Sequence, residues 1–125
     1  MKKILVLTIT MFSLLACSSD DENNLDPIIG TWYKFSQNGE EFGECEKKTT
    51  FTFSENGTYS ITPYVTLNNE CIIDGKDDGN WSNKSEGNYG IIPSGETEEA
   101  VAKIVFSNNN NTLTFTQENT IYKRK

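Results

Sequence analysis

Residues 47–65 hold the feature that most narrows what this chain can fold into. Thr49, Phe51 and Phe53 alternate with Thr50 and Thr52, Glu55-Asn56-Gly57 follows, and Tyr59 and Ile61 then resume the alternation. A period of two puts one face of a strand into a core and leaves the other towards water. Asn-Gly supplies the positive-φ residues of a tight hairpin turn. The sequence therefore predicts strands over 47–53 and 58–65, with Phe51, Phe53, Tyr59 and Ile61 on one shared face. Pro63 cannot donate to a ladder, so the second strand bends there or runs along an edge.

The same short-strand pattern continues along the chain. Strands are expected at 29–36, 80–84, 88–92, 100–106, 112–116 and 120–124, and residues 40–45 read as a short strand or an irregular loop. Residues 68–80 are polar and loop-like apart from Cys71-Ile72-Ile73. Glu96-Thr97-Glu98-Glu99 offers a helix start as the alternative to a strand after it. No amphipathic helix of ordinary length appears after residue 16. The expectation is an all-β chain with a single small antiparallel β-barrel of about eight strands over 27–125. Leu113 and Phe115 form a second apolar row, Ile104 and Phe106 a third, with Trp81 between them. These rows, with Phe51, Phe53, Tyr59 and Ile61, either line a pocket or fill the core. An eight-stranded barrel has room for side chains or one small ligand. No Arg or Lys stands at these positions, so any ligand is expected to be uncharged or weakly polar.

The two ends of the barrel sequence belong together. In a closed antiparallel barrel with an even number of strands, the first strand lies beside the last. Gly30-Thr31-Trp32 opens the first, and Tyr122-Lys123-Arg124 ends the last. Glycine permits close backbone approach, and tryptophan can then turn inward. Arg124, the sole arginine, is expected to lie over Trp32 and to close the barrel through cation–π attraction. A solvated terminal charge is the alternative.

Taken in order, Gly30-x-Trp32, Cys45, Phe51-x-Phe53, Cys71, Gly79-x-Trp81 and Tyr122-x-Arg124 resemble the short lipocalin-like domains of bacterial lipoproteins. The resemblance runs from Leu25 to Lys125. It implies a lipocalin-like barrel that binds a small apolar molecule. The domain is much shorter than a typical lipocalin.

The first residues carry an address. Lys2 and Lys3 precede an apolar run that ends in Leu14-Leu15-Ala16-Cys17. This is a signal peptide over 1–16, too short in its apolar core to anchor as a membrane span. Leu-x-Ala-Cys resembles the bacterial lipobox, which implies cleavage before Cys17 and lipid on its sulfur. Residues 17–26 are polar and acidic and read as a disordered tether. Ser18-Ser19-Asp20-Asp21-Glu22 resembles the signal that sends some lipoproteins to the outside of the outer membrane. The expected location is the outer membrane, lipid-anchored and cell-surface exposed, with a periplasm-facing orientation as the alternative.

Cleavage leaves nine cations against eighteen acids, a formal charge of −9. Such a surface repels nucleic acid and anionic lipid, so the membrane is engaged through lipid on Cys17 alone. With Cys17 committed, Cys45 and Cys71 remain. A small secreted domain in an oxidising compartment favours a bridge between them, two free thiols being the alternative. The chain has no His. Two Cys do not complete a zinc site, and a Ser or Cys nucleophile lacks its usual base. Asp74-Gly75-Lys76-Asp77-Asp78-Gly79 only superficially resembles a calcium loop, since Lys76 stands where a ligand is needed. No metal, cofactor or catalysis is expected. The function expected is binding of a small apolar molecule; the alternative is a non-enzymatic interaction or structural module with a filled barrel and no ligand.

Overall fold

The computed structural model describes residues 25–125. Eleven strands follow one another: β1 (Gly30–Gln37), β2 (Glu40–Glu41), β3 (Thr50–Phe53), β4 (Thr58–Thr62), β5 (Tyr64–Leu67), β6 (Glu70–Ile73), β7 (Asp77–Asn83), β8 (Asn88–Pro93), β9 (Ala100–Ser107), β10 (Thr112–Phe115) and β11 (Thr120–Arg124). Among the described residues the single helical element is one 3₁₀ turn, Glu46–Lys48. Eight strands pair in the cyclic order β1-β3-β4-β7-β8-β9-β10-β11, and β11 returns to β1, so the sheet is a closed antiparallel barrel. Closure leaves those eight strands without a free edge.

Three parts of the chain differ from the sequence reading. The strand expected over 47–53 begins only at Thr50, because the chain before it turns as the 3₁₀ element. The strand expected over 58–65 breaks at Pro63, whose missing N–H cannot continue the ladder. Beyond the break, β5 leaves the barrel and pairs with β6 alone as a separate hairpin. Residues 68–80 are thus not one loop. Asn68 and Asn69 both take positive φ (53° and 66°) and form the two-residue turn that Asn-Gly would supply. The segment 96–99 is neither helix nor strand.

The core consists of Ile28, Trp32, Phe51, Phe53, Tyr59, Tyr89, Ile104 and Leu113, with Ile61, Trp81, Ile91, Phe106, Phe115 and Tyr122 packed against it. The hairpin pairs Phe51 with Ile61 and Phe53 with Tyr59, and β9–β10 pairs Leu113 with Phe106 and Phe115 with Ile104. Rows that alternation places on one face therefore meet their partners directly across the ladder. Ile28, Tyr89 and Tyr122 join this core although the alternation argument did not select them.

The barrel has two distinct ends. Leu25 and Asp26 enter beside the turns at 54–57, 84–87 and 108–111. The opposite end carries β2, the 3₁₀ turn, the β5–β6 hairpin and the loops at 94–99 and 116–119. A Cys45–Cys71 disulfide ties the hairpin to the 3₁₀ turn. It closes a separation of 26 residues, for which loop entropy alone contributes roughly 3–3.5 kcal/mol.

Candidate functional site

The end where the chain enters is sealed. The Arg124 guanidinium carbon lies 4.2 Å from the Trp32 ring centroid, and the two residues are direct partners across β1–β11. The guanidinium also donates to the carbonyls of Ile29 (2.9 Å), Pro27 (2.8 Å) and Asn110 (2.8 Å). One planar fork thus ties the entering chain and the 108–111 turn to the last strand. Trp32 is wholly buried, and its indole N–H donates to the Ile28 carbonyl at 2.8 Å. Gly30 has φ +135°, and a Cβ there would stand 2.6 Å from the Arg124 Nη1. Any other residue type would be strained at this φ and would displace the guanidinium.

The second Gly-x-Trp repeats the device. A Cβ on Gly79 would stand 2.9 Å from the Tyr59 ring, and the Trp81 indole donates to the Ser54 carbonyl at 2.9 Å. Asp26 completes the seal. It accepts from the Tyr89 hydroxyl and from Asn83 Nδ2, each at 2.7 Å, and from the Ile28 amide. Burial, then the hydrogen bond to Asp26, raises the Tyr89 pKa well above its ordinary value.

Aromatic rings fill the middle of the barrel. Phe51 and Phe53 stack at 4.4 Å, Phe53 meets Trp81 edge-on at 5.9 Å, and Trp81, Tyr89 and Phe106 continue the chain of contacts to Trp32. Of the nine residues proposed from sequence as ligand-binding or core, Phe53, Tyr59, Ile61, Trp81, Ile104, Phe106 and Leu113 are packing residues. Tyr59 also borders a trough on the barrel wall, and only Phe51 and Phe115 reach the open space inside the barrel.

That space is a cavity of about 180 Å³ at the other end, lined by Lys34, Gln37, Phe51, Phe115, Glu118, Thr120 and Tyr122. Phe51, Phe115 and Tyr122 form its floor, with ring centroids 5.5–6.1 Å apart. Burial, then the nearby charge of Glu118, pushes the Tyr122 hydroxyl up to about 12. Lys34 and Gln37 both face this space because the β1–β11 register shifts between Lys34 and Ser36. A β-bulge of this kind inserts a residue and re-aims the side chains beyond it. The inserted Phe35 lies beneath the Lys123 and Lys47 ammonium groups, at 3.9 and 5.1 Å.

The lining therefore corrects the expectation of a site without cations, since Lys34 belongs to it. Lys34 was legible: it follows Trp32 by two residues on one strand, and Tyr122 precedes Arg124 by two on its neighbour. The phase shift that brings in Gln37 had no such signal.

A larger trough, about 400 Å³, lies between β4 and β7 and is lined by Ser60, Asp78, Asn80 and Ser94 among others. Some of its polar groups are already partnered, Ser94 Oγ donating to Asp78 at 2.6 Å and Asn80 Nδ2 to the Gly57 carbonyl at 3.3 Å. It lies more open, on the wall, and is a poorer candidate than the partly enclosed mouth. Cys17, the signal peptide and residues 17–24 of the tether lie outside the described residues.

No curated protein and no solved structure matches this chain. A family model described as a lipocalin-like domain matches residues 28–115, from the wholly buried Ile28 through the mouth residue Phe115. That span holds seven of the eight barrel strands, and the structure supplies the eighth by returning β11 to β1. By sequence match and by closed antiparallel barrel alike, the chain belongs to the lipocalin-like domain family.

Proposed function

We propose that this protein is a lipid-anchored binding protein of the cell envelope that holds one small, largely apolar molecule in the mouth of its barrel. The carrying observation is the mouth itself: about 180 Å³ of open space bordered by the buried Phe51 and the half-buried Phe115 and Tyr122, in a barrel otherwise filled. A volume of about 180 Å³ is below the roughly 300–1,000 Å³ of sites for drug-sized ligands, so the occupant is of single-ring size. The protein acts by binding and not by catalysis, in keeping with its family.

Anchoring at Cys17 is supported by the lipobox and the acidic stretch behind it. Leu25 and Asp26 join the barrel at its sealed end, so a tether running from there to the outer membrane leaves the mouth facing away from the bilayer. The second reading, an interaction module, draws on the β5–β6 hairpin, which exposes Leu67, Ile72 and Ile73 beside unpaired strand edges. Native mass spectrometry of the protein from producing cells tests the choice. A stoichiometric small adduct supports binding; its absence, together with no saturable binding of any small aromatic probe, gives the lead to the hairpin. Cys17→Ala should release the protein from the membrane fraction or leave an uncleaved precursor, and protease on intact cells should digest a surface-exposed domain.

A further inference from the structure

We infer that the molecule held in the mouth carries a carboxylate and that Lys34 receives it; this rests on the mouth being the binding site. Lys34 faces Tyr122 across β1–β11 and lines the cavity with Phe51, Phe115 and Tyr122. Its ammonium stands 4.6 Å from the Phe42 ring centroid. Among the described residues, ion pairs join Lys47 to Glu41 and Lys84 to Glu99, and neither includes Lys34. Glu118 lines the same cavity without coming within ion-pairing distance of it. The mouth thus has two poles, a cation on β1 and an acid on the β10–β11 turn, over one aromatic floor.

A ligand suited to this arrangement has three parts. A flat apolar body covers Phe51, Phe115 and Tyr122. A carboxylate at one end meets Lys34 in a charge-assisted hydrogen bond, the stronger kind, in a setting only partly open to water. The end towards Glu118 is neutral or cationic, since a second acid there would be repelled. Gln37 and Thr120 add neutral hydrogen-bonding groups on the rim. The cavity limits the whole to one ring with a short arm. A purely apolar ligand would instead leave Lys34 partly desolvated beside it with nothing gained, which disfavours that class.

The test titrates the full-length protein with phenylacetate, benzyl alcohol and phenylethylamine, three probes on one ring, following the Phe115 and Tyr122 signals by NMR. Phenylacetate should bind saturably and at least about tenfold more tightly than benzyl alcohol. Lys34→Met should bring the two within about twofold, and so should Lys34→Gln, which keeps a polar side chain. Lys103→Met, on the outer wall, should leave the preference intact. Equal affinities for acid and alcohol in the unaltered protein would overturn the carboxylate inference while leaving the mouth as a site. Tighter binding of phenylethylamine would overturn it too, and would assign the recognition to Glu118. Failure of all three to saturate would overturn the mouth as a site.

Discussion

At the end where the chain enters the barrel, Arg124 donates to three carbonyls, two indoles donate to two more, and Asp26 accepts from three groups. At the mouth, Lys34 and Glu118 face one small space without pairing. Every buried side-chain nitrogen or oxygen among the described residues has a partner. The difference is therefore not a matter of poor packing overall. One end uses its polar groups to hold the fold together; at the other, Lys34 and Glu118 are in no ion pair among the described residues and the Lys34 ammonium stands over the Phe42 ring. Local stability is uneven in most proteins, and binding regions come from the less committed part.

The contrast predicts a gradient of effects. Trp32→Ala should have the largest, a loss of about 3–5 kcal/mol in denaturant unfolding, because it removes a wholly buried ring and unpartners the Ile28 carbonyl. Arg124→Ala should cost about 2–3 kcal/mol, since stacking and the fork are lost together. Arg124→Lys should recover only part of this, because a point charge cannot reach three carbonyls at once. If either variant unfolds like the parent protein, the seal is not what holds the closed end.

High pH offers a smaller and reversible probe. Tyr122 has a folded-state pKa raised by burial and then by Glu118, from the ordinary 10.0 to about 12. Its contribution is complete below pH 10 and is lost as the pH rises from 10 through 12, by roughly 2–3 kcal/mol at most. Tyr89, raised by burial and then by its bond to Asp26, loses stability in the same direction. Tyr122→Phe should flatten the decline of unfolding free energy between pH 10 and 12. A decline of unchanged steepness would mean that the floor of the mouth is already wet. Lys34→Met should have the smallest effect, within about 0.5 kcal/mol of the parent stability. A loss comparable to that of Arg124→Ala would make Lys34 a structural residue and would erase the contrast between the ends.

How much was legible beforehand follows the range of each interaction. The strands around Asn56-Gly57, the apolar rows and the last strand, observed over the expected Thr120–Arg124, all rest on local alternation and turn chemistry. The break at Pro63 was legible as a bend, but its consequence was not. Whether β5 would rejoin the barrel or pair with β6 depended on a partner strand read as loop, because Asn68-Asn69 does the work of Asn-Gly without its signature. The Cys45–Cys71 pairing was open to counting, since one pair remained once Cys17 was assigned to lipid.

By itself the sequence determined a closed, small, all-β barrel with aromatic rows facing inward. Period-two alternation and turn residues act over a few neighbours and are written in consecutive positions. Only the tertiary structure decided which aromatics would be packed and which would be left open. That choice depends on how rings from β3, β10 and β11 interlock across the barrel, and on the bulge at Phe35 that turns Gln37 inward beyond Lys34. Packing compares the shapes of side chains far apart in the chain, and a register shift is a property of two strands together. Neither is carried by any single stretch of residues.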